Sequence, residues 1–289
     1  MRIKPTHNNL QEWIEIYVPE KDLFFLPEDG LSEIDLSGVI IMPTDEFFNH
    51  STYKQINYVN SYLYWNIKNA HYVIIAEKNW IERISAEERK LIFSYQINSK
   101  RGLVVPITFV DEIDKIPSDY IINQNIIIQS AMWEKLERSV KEQLLSKMVF
   151  EWWDDGDCKP LPNSMYSFLN PYANTFSNKQ GANCLAAVLF AISGGKQEWF
   201  IHEWIYQKSF IETLKQYKYY EFTGDCIKKD DVVVWQDKNQ VIQHAAYYIG
   251  DGLFFNKDGQ TIFNPWKIIK EEHLYKYWEH LTPIIYRIK

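Results

Sequence analysis

Residues 230–256 read DDVVVWQDKNQVIQHAAYYIGDGLFFN, and this stretch decides the fold. Runs of Val, Ile and aromatic residues alternate here with short polar breaks, the pattern of strands joined by tight turns. Asp231–Gln236 reads as one strand and Gln243–Ile249 as the next. Gly250-Asp251-Gly252 is a turn, and Leu253–Asn256 continues the meander. Downstream, Thr261–Phe263 gives a further short strand. Asn264-Pro265 reads as an N-cap with Pro at the first helical position, opening a helix through Tyr277, and Pro283–Ile288 closes as a strand. Upstream, an apolar helix starts near Asn183 and stops at Gly194-Gly195, and an amphipathic helix follows over Glu198–Tyr217. Helices followed by antiparallel strands make this half α+β.

The first half has a different rhythm. Gly38–Met42, Tyr72–Ala76 and Leu103–Val110 are Ile- and Val-rich runs of strand length. Tyr53–Lys68 carries apolar residues at helical spacing, and Ser85 with Glu88 forms a capping box that opens a helix to about Tyr95. Arg101-Gly102 reads as a turn. One long helix is predicted from about Ala131 to Phe150. The polar, Pro- and Asn-rich text after Trp153 marks a boundary between residues 1–150, a mixed α/β domain of unassigned role, and residues 151–289. The Asp154-Asp155-Gly156-Asp157 cluster lacks the bidentate Glu of a calcium loop, since Met165 or Tyr166 stands there; it reads as a solvated loop.

A chain of 289 residues can bury one large or two modest cores. Its 38 acidic against 31 basic residues give a net charge of −7, which argues against non-specific nucleic-acid binding. Aromatics make up 16 %, a fraction that fits aromatic-rich cores. No apolar run is long enough to span a bilayer. The opening MRIKPTHNNLQEW has no apolar h-region, so the expected compartment is the cytoplasm. Cys158, Cys184 and Cys226 form no CxxC pair and no even disulfide set. Cys158 lies in a polar loop and reads as exposed, whereas Cys226, just before a strand, reads as structural. His202-Glu203-Trp204 lacks the second His of a zinc-protease motif, and no metal or organic cofactor is expected.

Cys184 is the strongest chemical candidate. It stands where a loop enters an apolar helix, and a helix N-terminus offers free N–H groups and partial positive charge. That setting favours thiolate and can hold a developing oxyanion. His244 opens a strand, a rigid mount for an imidazole that takes the thiol proton and returns it to a leaving amine. Asn256 follows twelve residues later, past the glycine turn, so a hairpin brings it beside His244. Its side-chain oxygen is expected to accept from the second ring nitrogen and fix the tautomer.

These pieces together resemble the NlpC/P60 family of papain-like cysteine peptidases. The matching text is Pro171-Tyr172, Gly181-Ala182-Asn183-Cys184, Lys229–Trp235, His244–Gly252 and Asn256, spread over roughly residues 165–265. The resemblance implies a papain-like α+β fold, with Cys184 as nucleophile, His244 as general base and acid, and Asn256 as the orienting residue. It also implies that Tyr172 and Asn183 sit at the oxyanion or substrate site. The chain departs from the family where Asn183 replaces Asp, Leu185-Ala186 replaces Ser-Gly, Asn174-Thr175-Phe176 replaces Gly-Gly, and Ala245-Ala246 replaces Val-Gly. The expected activity is hydrolysis of an amide in a small peptide, with a cell-wall muropeptide as the class the family suggests. Acyl transfer on the same fold and a catalytically dead binding module are the alternatives. Neither nucleic acid nor membrane is an expected partner.

Overall fold

The structure, a computed structural model, describes residues 1–153, 156–162, 166–224 and 226–289. Asp154, Asp155 and Met165, weighed above as parts of a calcium loop, lie outside the described residues. The chain is mixed α and β with antiparallel sheets. It divides into two compact units, Leu10–Met148 and a second made of Met1–Asn9 with Val149–Lys289. The break thus falls near the expected position, but the first nine residues belong with the C-terminal unit. The Met1 ammonium donates to the Cys158 carbonyl at 2.6 Å, and Asn9 Nδ2 donates to the Phe176 carbonyl at 3.3 Å.

In the N-terminal unit, β1 (Asp22–Leu26), β2 (Ile40–Pro43) and β3 (Tyr72–Ala76) form an antiparallel sheet in the order β1-β3-β2. The apolar run of β1, Leu23-Phe24-Phe25-Leu26, is wholly buried. Being continuous rather than alternating, it carries no period-2 signal, and the sequence reading passed over it. Helix α1 (Ala86–Asn98) opens with the capping box read from the sequence. Ser85 Oγ accepts from the Glu88 N–H, and the Glu88 carboxylate accepts from the Ser85 N–H. From this helix, buried Gln96 bonds both the N–H and the carbonyl of Phe25, at 2.8 and 3.2 Å, serving β1 as a neighbouring strand would.

A second small sheet holds β4 (Val104–Pro106), β5 (Ile121–Ile122) and β6 (Asn125–Ile127) in the order β4-β6-β5. The strand expected to reach Val110 ends at Pro106, which has no N–H to extend a ladder. Two expected helices are shorter than the periodicity suggested. Tyr53–Lys68 reduces to Ile56–Ser61, and Leu63 then turns the chain with φ of 48°. The Ala131–Phe150 helix is two, α2 (Ser130–Lys135) and α3 (Arg138–Met148), broken where Leu136 takes an extended ψ of 143°.

The C-terminal unit contains α4 (Cys184–Ile192) and α5 (Gln207–Gln216). Its six strands are β7 (Tyr219–Phe222), β8 (Val232–Gln236), β9 (Ile242–Gly250), β10 (Leu253–Lys257), β11 (Trp266–Lys270) and, after helix α6 (Glu271–Tyr277), β12 (Thr282–Ile288). They form one antiparallel sheet in the order β11-β10-β9-β8-β12-β7. Successive strand residues face opposite sides of a sheet. Val232, Val234, Ala245, Tyr247, Phe255 and Ile268 pack with α4, while Val233, Trp235, Ala246, Phe254 and Ile269 pack with Leu274 of α6.

Three expectations for this unit are corrected. Glu198–His202 is a 3₁₀ turn, and the helix begins only at Gln207. Thr261–Phe263 is a turn rather than a strand, and Asn264-Pro265 opens strand β11 instead of a helix. The reason is local: Asn264 Oδ1 accepts from the N–H and hydroxyl of Thr261, upstream of it, so its side chain closes the preceding loop and caps no helix. The cysteine exposures are also reversed, since Cys158 is buried and Cys226 exposed.

Gly102 follows the expected turn and marks a close approach of two backbones. A Cβ there would lie 2.3 Å from the Ser61 carbonyl oxygen and 2.7 Å from the Tyr62 carbonyl carbon. Neither can yield without moving the chain. Gly102→Ala is therefore expected to destabilise the N-terminal unit by about 1–3 kcal/mol, the usual cost of overpacking, read as a lower denaturant midpoint at unchanged m-value.

Candidate functional site

Helix α4 is apolar on every side, and Leu185 through Ala191 are all buried. Its polar backbone end needs a cap, which Asn183 supplies. Asn183 Oδ1 accepts from the Ala186 N–H at 3.0 Å, while Nδ2 donates to the Ile205 carbonyl at 2.8 Å. An ionised Asp would make the first bond but not the second. Both amide groups are thus engaged within the protein. Asn183 positions the residue after it, with its side-chain amide bonded to the protein backbone at both ends.

Cys184 is the first residue of α4 and is partly exposed. Burial pushes its thiol up to about 11, against the N–H groups of Ala245, Leu185 and Cys184 itself and the charge of Lys257, all of which favour thiolate. The expected helix-terminus effect is present, but desolvation outweighs it. The Ala245 N–H belongs to the His244–Ala245 peptide, so the sulfur lies against the backbone that carries His244. No hydrogen bond joins the sulfur to the imidazole among the described residues.

His244 and Asn256 do meet. They lie on β9 and β10, and Asn256 Nδ2 is 3.2 Å from His244 Nε2. The imidazole stacks on Trp278 at 4.8 Å and 16° and lies 5.7 Å from Trp235. Burial pushes it down to about 4; Asp258 favours its charged form and Lys267 opposes it. Burial thus favours the neutral thiol at Cys184 and the neutral imidazole at His244.

The amide of Asn256 points the other way from the expectation. Its nitrogen, not its oxygen, faces the ring, and the same nitrogen donates to Asp258 Oδ1 at 2.8 Å. The other carboxylate oxygen of Asp258 is 2.5 Å from the ammonium of Lys267, which is 1 % exposed. Asn256 Oδ1 is buried without a partner. Turning that oxygen toward Asp258 would oppose two acceptors, so the carboxylate fixes the amide.

Tyr172 lies in the core cluster against which Cys184 packs. Its hydroxyl donates to Glu198 at 2.8 Å, and its ring packs on Phe190, Trp266 and His202. It supports the flank of α4, with its hydroxyl turned to Glu198.

Lys257, Asp258, Lys267 and Trp278 were not singled out in the sequence. Lys257 is wholly buried, and its ammonium donates to the carbonyls of Thr261 and Asn264 at 2.8 and 2.6 Å. Burial pushes it down to about 7, while Asp258 and Cys184 favour its charge. One signal was available: period-2 alternation puts Lys257 on the face of Phe255, where a lysine is unexpected.

Among the described residues no group of three or more His, Cys, Asp or Glu side chains is placed to hold a metal, and no helix is long and apolar enough to cross a membrane. Comparison of the chain with family models, curated proteins and solved structures gives no match.

The buried His244 has a consequence for stability. Its folded pKa of about 4 lies below the ordinary value of 6.5, so between these the unfolded chain binds more protons. Its contribution is complete above pH 6.5 and is lost as pH falls toward 4, on the order of 3 kcal/mol in all. Urea unfolding of wild type and His244→Gln across this window is expected to show the steeper acid loss in wild type.

Proposed function

We propose that this chain is a cysteine hydrolase that cleaves an amide through an acyl-enzyme on Cys184. The observation that supports the reading is a helix-terminal cysteine whose sulfur accepts from the Ala245 N–H, Ala245 following in the chain a histidine paired with an asparagine. In the reaction, the Cys184 sulfur attacks the amide carbonyl as its proton passes to His244. The protonated imidazole then gives that proton to the leaving amine. Water deprotonated by His244 attacks the thioester, releasing the acid and restoring the thiol. N–H groups at the α4 terminus hold the oxyanion of each tetrahedral intermediate.

Both groups rest neutral, and charge develops on them only as the bound substrate excludes water. The substrate class proposed is a short peptide amide; the muropeptide assignment rests on the NlpC/P60 resemblance alone.

Incubation with activated peptide thioesters or p-nitroanilides, followed by intact-mass measurement, tests the reading. Wild type is expected to accumulate an adduct at Cys184 and Cys184→Ala none. His244→Ala should acylate about 10²–10⁴-fold more slowly. A protein in which Cys184 is acylated no faster than exposed Cys226, with or without His244, is not a cysteine hydrolase.

A further inference from the structure

The polar chain behind His244 runs further than a triad needs. It passes from His244 Nε2 to Asn256 Nδ2 at 3.2 Å, on to Asp258 Oδ1 at 2.8 Å, and through the carboxylate to Lys267 Nζ at 2.5 Å. Asn256 and Lys267 are directly opposed across the β10–β11 ladder, so the sheet register itself sets the ammonium beside the loop carrying Asp258. The members of this chain other than Asp258 are almost wholly buried, with His244 and Lys267 at 1 % and Asn256 at 0 % exposure.

An amide nitrogen has only hydrogens to offer. With Asn256 Nδ2 turned to His244, Nε2 must accept, and the single proton of the neutral ring stays on Nδ1. Were the oxygen turned inward, Nε2 would carry the proton and Nδ1 would be free to act as a base. The choice between the two tautomers therefore depends on which end of the Asn256 amide faces the ring. The Asp258 carboxylate makes that choice, since it repels the oxygen and accepts from the nitrogen. It does so at the expense of leaving Asn256 Oδ1 buried and without a partner.

We propose that Asp258, held in place by Lys267, is a positioning residue that sets the tautomer of His244 through the amide of Asn256, and keeps the resting protein in the form with the proton on Nδ1. This deepens the hydrolase reading and rests on it for its catalytic meaning: the resting imidazole is held back from taking the Cys184 proton, and release of the amide from Asp258 frees it. Removing the carboxylate charge lets the Asn256 oxygen turn inward and accept from Nε2–H, which also satisfies the atom now left without a partner.

The test is ¹⁵N–¹H correlation of histidine-labelled protein at pH 7, with the His244 signals identified by their loss in His244→Gln. Asp258→Asn is compared with Asp258→Asn/Lys267→Met, because the single change removes a carboxylate beside a buried lysine. Wild type is expected to show His244 with the proton on Nδ1, and the variants to show it on Nε2. A wild-type ring protonated on Nε2 would overturn the proposal without any variant, as would a ring on Nδ1 that does not change in a folded variant. Iodoacetamide labelling of Cys184 in the same samples separates this proposal from the hydrolase reading. Labelling several-fold faster in the variants supports both. A changed tautomer with Cys184 labelled no faster than in wild type upholds the positioning role and removes its catalytic meaning.

Discussion

The C-terminal unit depends on how the apolar helix α4 ends. A helix buried on all sides has its side-chain packing fixed by the core, yet its first N–H groups have no intrahelical acceptors. Asn183 resolves this with two bonds, capping Ala186 with its oxygen and tying down the Ile205 carbonyl with its nitrogen. The 3₁₀ turn Glu198–His202 packs against the helix, and Tyr172 lies against Phe190 and Trp266. Cys184 is thus carried at the capped end of the buried helix. Its position is a result of packing before it is a matter of reactivity.

The same burial reverses the simplest electrostatic expectation. A helix terminus stabilises a nearby anion by roughly 0.3–1 kcal/mol when exposed, and more when partly buried. Desolvation of a thiolate is the larger effect here, and it moves Cys184 upward despite three N–H groups. It moves His244 downward in the same way. Both shifts disfavour charge, so they act together to disfavour a preformed thiolate–imidazolium pair.

Much of this arrangement was legible in the sequence. Strands β8, β9 and β10 follow their Val, Ile and aromatic runs nearly residue for residue, and the GDG turn brings His244 to Asn256 because hairpin register is set by turn geometry. The capping box of Ser85 and Glu88 was legible for the same reason: both partners lie within one helical turn. What escaped reading depends on distant neighbours. Strand β1 is buried on both faces and shows no alternation. Asn264 and Pro265 have the form of a helix start, but Thr261 claims the Asn264 side chain and the backbone pairs with β10 instead. The orientation of the Asn256 amide depends on Asp258 and on a lysine across the ladder, neither of which is visible from the spacing of His and Asn.

Lys257, Asp258 and Lys267 place two buried ammonium groups and one carboxylate around the end of β10. If all three are charged, the region carries an excess of one positive charge in a setting that penalises charge. The carboxylate sits with Lys267 at 2.5 Å, whereas the hydrogen bonds of Lys257 go to the carbonyls of Thr261 and Asn264. Neutral acceptors offset less of the desolvation than a carboxylate does, which is why Lys257 is pushed down to about 7. An extra negative charge nearby would relieve that penalty, and the group positioned to supply one is the Cys184 sulfur, whose thiolate Lys257 favours. The unbalanced lysine and the reluctant thiol are two parts of one electrostatic arrangement: burial holds both near neutrality, and forming an anion at the sulfur stabilises the cation behind it.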